Sequence, residues 1–146
     1  MIAYFDASAI VKRYLVERGS RETIRLTAES EMIATSIVSR AEVAAGFARA
    51  ARTGLVRQDR ARRAQESFAG DWPDFVRVPV THALVEQAET LAWNYGLRGY
   101  DAVQLASAIA WQESVGTEIL LATFDRQLWE TASKAGVRVW PAKLPG

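Results

Sequence analysis

Short apolar runs alternate with amphipathic stretches along this chain, and the alternation predicts a repeating strand–helix order. Ile2 to Phe5 is continuously apolar, the pattern of a strand buried on both faces. A helix from Ala7 to Leu15 and another from about Ser20 to Ser30 follow, with Ser20 as candidate cap, before a second strand at Met32 to Thr35. Ser39 and Glu42 stand at capping-box spacing and open an alanine-rich helix that runs to about Arg52 and ends at Gly54. Asp59 begins a helix towards Phe68, closed by Trp72–Pro73. Arg77 to Val80 reads as a third strand, and Pro79 puts it at a sheet edge.

In the second half, Thr81 caps a helix whose Leu84, Ala88, Leu91, Ala92 and Tyr95 share one face. The loop GLRG leads into the helix of Asp101, where Ala102, Leu105, Ala106, Ile109 and Ala110 repeat the stripe. Ile119 to Ala122, a helix from Arg126 to Lys134 and a strand at Val137 to Trp140 complete the series. Strands separated by helices imply parallel pairing through right-handed crossovers, an α/β fold with about five strands.

Size and composition narrow the class. The 146 residues, 49% of them apolar, suit one domain spanning 1–146 with a core of its own. The absence of cysteine excludes disulfides, thiolate zinc sites and cysteine nucleophiles, and suits a reducing cytoplasm. The N-terminus MIAYFDAS has no signal-peptide character, and no apolar run has the ~20 residues of a membrane helix. Net charge is only +1, yet seven arginines fall between Arg40 and Arg63, opposed there only by Glu42 and Asp59. That stretch is either a phosphate-facing wall or a solvated helical hairpin.

The chemistry is bounded first by what is missing. One histidine, His82, cannot supply a paired acid and base, and no nucleophile elbow or glycine-rich phosphate loop is present. What remains is four acids at element junctions: Asp6, Glu42, Asp101 and Asp125. Each has a structural alternative, because Asp6, Asp101 and Asp125 can cap the helices they precede and Glu42 can complete the capping box with Ser39. In an open parallel sheet, however, the crevice beyond the strand ends is where ligands bind. Carboxylates gathered there need a positive partner, for which a hard divalent cation is suited. Thr123 stands two residues before Asp125 and points to the same side if the strand continues.

The segments FDASAIVKRYL, SRAEVAAG, LRGYDAVQLASA and LATFDRQL, in that order over nearly the whole length, resemble the PIN-domain family, and within it the VapC-type toxin ribonucleases. The resemblance implies a three-layer α/β/α domain with a mostly parallel central sheet. It implies that Asp6, Glu42, Asp101 and Asp125 ring a pocket for Mg²⁺ or Mn²⁺, with Ser8 and Thr123 as supporting hydroxyls. It further implies an endoribonuclease that hydrolyses phosphodiesters with metal-activated water, a VapB-like antitoxin partner and a homodimer. Arginines of the Arg49–Arg63 stretch, Arg49 and Arg52 among them, together with Arg98, are then the candidate contacts to the RNA backbone. Single-stranded or looped RNA is the expected target, with Trp72, Trp93 and Trp111 as candidate stacking surfaces; Trp111, on an apolar helix, is expected to be core or interface.

Rival classes remain open at this point. One is a non-catalytic PIN-like module that senses metal or binds a partner; another is a PIN nuclease outside any toxin–antitoxin pair. A receiver-type phosphoacceptor needs an early acidic pair that is absent, and a haloacid-dehalogenase phosphatase needs an aspartate where Ser8 stands.

Overall fold

A computed structural model of the chain describes residues 1–145. Its five strands are β1 (Ile2–Phe5), β2 (Met32–Ser36), β3 (Val76–Val78), β4 (Leu120–Ala122) and β5 (Arg138–Trp140). They form one sheet in the order β3-β2-β1-β4-β5. Every pairing is parallel, so the sheet is wholly rather than mostly parallel. The helices are α1 (Ala7–Tyr14), α2 (Ser20–Glu29), α3 (Ser39–Arg52), α4 (Gln58–Asp71), α5 (His82–Tyr95), α6 (Gly99–Val115) and α7 (Arg126–Lys134).

The period of two along β1 divides the interior. Ala3 and Phe5 face one layer, where Ile10, Leu15, Leu26, Val43, Phe47 and Phe68 from α1 to α4 pack. Tyr4 faces the other, with Leu84, Leu105, Trp111 and Leu128 from α5, α6 and α7. The result is a three-layer α/β/α fold. Ile10 and Leu15 are buried in the first core, and Val11 and Tyr14 pack half-buried against it. Gly46 lets α3 approach α1, since a Cβ there would stand 3.0 Å from Val11 Cγ2.

Trp111 is buried as expected, but so is Trp72, which stacks edge-on with Phe68 in the first core and is no platform for a base. Trp93 is 89% exposed. Pro79 follows β3 directly, and β3 lies at the sheet edge. Two local expectations fail for identifiable reasons. Ser20 does not cap α2; Gly19, at φ 93°, holds that place, and the Ser20 hydroxyl donates to the Leu15 carbonyl while accepting from Glu17 N–H. The Ser39–Glu42 capping box does not form either. Val38 precedes the helix with no side-chain cap, and the Ser39 hydroxyl turns instead to Thr35 and Gln104. Among the described residues no helix is long and apolar enough to cross a membrane.

Candidate functional site

Strand β1 ends at Phe5, and Asp6 both closes the strand and caps the helix. Its backbone is extended (φ −77°, ψ 177°), and Oδ1 accepts from Ala9 N–H at 3.0 Å and from the Ser8 hydroxyl at 2.7 Å. Oδ2 accepts from the Thr123 hydroxyl at 2.5 Å. Capping therefore engages Oδ1 and leaves Oδ2 to Thr123, while the residue also lines the cavity at the strand ends. Thr123 sits just past β4, the strand beside β1, and parallel register brings the two residues together.

The Thr123 oxygen also accepts from Asp125 N–H at 3.1 Å, and the Ser8 oxygen accepts from Phe124 N–H at 2.9 Å. Two strand-to-helix turns are thereby laced to each other. Asp125 caps α7 in the same divided way, with Oδ1 accepting from Leu128 N–H at 2.9 Å and Oδ2 left free to meet other groups.

The other two acids come from helices. Glu42 lies in the first turn of α3, where its Oε2 accepts from Gln104 Nε2 at 3.4 Å. Asp101 lies in the first turn of α6 and caps nothing; the residue at the cap position is Arg98, which makes no capping bond. Arg98 instead donates to Asp101 Oδ2 at 2.8 Å and to Asp125 Oδ2 at 2.7 Å. All four acids line one open cavity of about 490 Å³ at the carboxyl ends of the strands, together with Ser8, Arg49, Tyr100 and Gln104.

Burial is the dominant electrostatic fact. Desolvation raises the Asp6 carboxyl to about 6, against the lowering effect of its bonds from Thr123, Ser8 and Ala9, and the charge of Asp125 adds to the rise. Burial likewise raises Glu42 to about 7, with Gln104 opposing and the charges of Asp6 and Asp101 reinforcing. Asp101 is raised by burial and then by Asp125, with Arg98 holding it down. Four acids thus share a cavity in which at least three resist ionising.

The sharing has a limit. Among the described residues, no three His, Asp or Glu side chains stand close enough together to hold one ion as they are placed. The carboxylates share a cavity without closing on a common point. The donors themselves are all hard oxygens, which is the chemistry of Mg²⁺ or Mn²⁺ and not of a soft metal. By that measure the residues fit such an ion.

Of the expected substrate contacts, Arg49 lines the acidic cavity. Arg52 does not; with Arg62 it flanks a separate cleft of about 410 Å³ between α3 and α4. Arg57 and Arg63 pair with Asp59 on the exposed surface, and His82 pairs with Glu86 away from the cavity.

A buried polar chain was not foreseen. Tyr4 donates to Gln104 Oε1 at 2.6 Å, and Gln104 Nε2 donates to Ser39 at 3.0 Å as well as reaching Glu42. Gln104 is 1% exposed. Its signal was available: it follows Asp101 by three residues, so the two share a helix face, and it is a polar residue set among apolar helix positions.

Comparison with known proteins shows the family and the fold. Residues 3–134 match the family described as PIN domain. A curated relative, ribonuclease VapC45 of Mycobacterium tuberculosis, is 36% identical over 144 residues, covering 98% of this chain and 97% of the relative. Among solved structures, VapC20 of M. tuberculosis, described as a toxin that cleaves the sarcin–ricin loop, superposes with a TM-score of 0.64 at 20% identity, over 92% of this chain and 95% of that one. VapBC2 of Rickettsia felis, bound to a DNA fragment from its promoter, gives 0.63 at 14% identity, over 95% and 97%. The last two likenesses are likenesses of fold.

Proposed function

The chain belongs to the PIN domain family, and from that premise we propose that it is a Mg²⁺- or Mn²⁺-dependent endoribonuclease, the toxin of a VapBC-type pair, acting as one domain in the cytoplasm. The observation that carries the reading is the opening of Asp6, Glu42, Asp101 and Asp125 onto one cavity beyond the carboxyl ends of β1 and β4. The 36% identity to a protein named as a ribonuclease, over nearly the full length of both, supports the same class of reaction.

The four carboxylates are the residues that would hold the ion. When bound, such an ion polarises a phosphodiester and lowers the pKa of a coordinated water. Everything else falls to the chain. Thr123 and Ser8 fix the Asp6 carboxylate by donating to its two oxygens. Gln104, itself anchored by Tyr4, donates to Glu42 and holds that side chain toward the cavity. Arg49, on the cavity wall seven residues along α3 from Glu42, faces where a phosphate backbone would enter. Ala45 and Gly46, between the two in sequence, also line the cavity. Hydrolysis by water leaves a 5′-phosphate and a 3′-hydroxyl and makes no use of the ribose 2′-hydroxyl. The lone histidine, exposed and paired with Glu86, has no part in it.

The partners proposed are single-stranded or looped RNA, a VapB-like antitoxin and a second copy of the chain. The presence of VapBC2 among its structural neighbours supports an antitoxin partner.

Purified protein should cleave RNA in Mg²⁺ or Mn²⁺ and be silent in EDTA. Asp6→Asn or Asp101→Asn should reduce cleavage to that silent background while circular dichroism stays unchanged. Cleavage that persists in EDTA, or survives both substitutions, removes the proposal.

A further inference from the structure

Arg98 is the wrong residue for its position by local rules. It occupies the cap of the 17-residue helix α6, where it offers no acceptor to the free N–H groups and sets a positive charge against the positive end of the helix dipole. Its side chain is half exposed (51%), so no packing compels it to stay. What holds it is the acidic cavity. Nε and Nη2 both lie 2.8 Å from Asp101 Oδ2, and Nη2 lies 2.7 Å from Asp125 Oδ2. The guanidinium carbon stands 5.1 Å from the ring centroid of Tyr100, a cavity-lining residue.

One nitrogen therefore bridges Asp101 of α6 and Asp125 at the start of α7, two acids that line the same cavity. Their Oδ2 atoms are oxygens a divalent ion would require, and a guanidinium and a cation cannot both occupy them.

We propose that Arg98 is the resident counter-cation of this site: it positions Asp101 and Asp125 in the metal-free protein and leaves their Oδ2 atoms when a divalent ion binds. The proposal rests on the metal-site reading above. It makes loading an exchange of one cation for another, so that the acids stay paired in both states. Lysine could not do the same, because a single ammonium has no planar fork to span two carboxylates with fixed geometry.

The experiment measures Mn²⁺ binding directly, by the loss of the free-ion electron paramagnetic resonance signal, on the full chain as wild type, Arg98→Gln, Arg98→Lys and Asp101→Asn. Removing the competitor should tighten Mn²⁺ binding by Arg98→Gln at least about tenfold, the factor that corresponds to losing one of its two charge-assisted hydrogen bonds. Arg98→Lys should fall between Gln and wild type. In ¹⁵N-labelled wild type, the Arg98 Nε–H resonance should shift and exchange faster with water as Mg²⁺ is added. That measurement decides alone if Arg98→Gln does not fold. Equal or weaker Mn²⁺ binding by a folded Arg98→Gln, or an Arg98 resonance unmoved at saturating Mg²⁺, overturns the proposal while leaving the metal site standing. Wild type that binds no Mn²⁺, or binds it no better than Asp101→Asn, overturns the metal site and the proposal together.

Discussion

Thr123 and Asp6 lie 117 residues apart in the chain, and the hydroxyl of the first donates to Oδ2 of the second at 2.5 Å. Parallel pairing of β1 with β4 creates the contact, and the same hydroxyl oxygen then accepts the Asp125 N–H. One side chain thus orients two of the four acids. Thr123→Val keeps the shape but leaves a buried carboxylate oxygen and a backbone N–H without their partner. Stability should fall by about 1–3 kcal/mol, read as a lower denaturant midpoint at unchanged slope. Loss of a partner that orients a metal-binding group should also weaken Mn²⁺ affinity or cleavage by about 10–100-fold. A variant with wild-type stability and wild-type affinity would show that the bond is incidental.

The raised carboxyls fix the sign of the pH dependence of the metal-free protein. Asp6 at about 6 and Glu42 at about 7 hold protons that the unfolded chain has already released above about pH 4.5. The folded state therefore binds more protons in that window, and stability declines as pH rises from the unfolded values through the folded ones. In EDTA the wild-type melting temperature, relative to that of Glu42→Gln, should fall between about pH 5 and 8. Mn²⁺ should raise the melting temperature of wild type at pH 8, where the acids are ionised, and far less at pH 5. At 100 times its dissociation constant the ion stabilises by about 2.7 kcal/mol. A Mn²⁺ effect equal at both pH values would separate the metal from these carboxylates.

How far the sequence could be read is clear from particular residues. The run Ile2–Phe5 and the helices α5 and α6 are local patterns, and each appears within a residue or two of where its period puts it, although Tyr95, the last member of the α5 stripe, is exposed and outside the core. Asp6 and Asp125 are legible as acids at strand-to-helix turns, and in both the cap engages Oδ1, leaving Oδ2 to Thr123 and to Arg98 respectively. Ser39 misled because its spacing to Glu42 is right for a local box, while Thr35 and Gln104, brought by β2 and α6, compete for the same hydroxyl and win. Arg98 reads as an exposed cation free for phosphate until α6 and α7 are packed side by side, when Asp125 comes within 2.7 Å. Local order was legible; contacts between elements distant in sequence were not.

Gln104 should be as sensitive as an acid without being one. Its amide joins Tyr4, Ser39 and Glu42, and no donor or acceptor in this buried group is left unpaired among the described residues. Gln104→Leu removes the acceptor of the Tyr4 hydroxyl in the second core and releases Glu42. The expected cost is about 1–3 kcal/mol for each buried group left unsatisfied, measured by urea titration. Gln104→Glu should cost more at pH 8 than at pH 5, because it sets a new acid against Glu42. A Leu variant of unchanged stability would mean that water replaces the amide.

Arg49 should act on binding and not on the chemical step. It lies on the α3 face that carries Glu42, Ala45 and Gly46 and lines the same cavity as the acids. Arg62, across the separate α3–α4 cleft, serves as the contrast. Arg49→Gln should raise the KM for a short single-stranded RNA severalfold and leave kcat within about twofold, the signature of uniform binding lost. Each phosphate contact on a single strand contributes about −0.7 to the slope of log affinity against log salt, so the slope should become shallower by about that amount. Arg62→Gln should change neither quantity if the strand runs only over the acidic cavity. If Arg62→Gln flattens the slope as Arg49→Gln does, the RNA path continues along α3 into the cleft; if neither does, the arginines of this hairpin are a solvated surface and the backbone is gripped elsewhere.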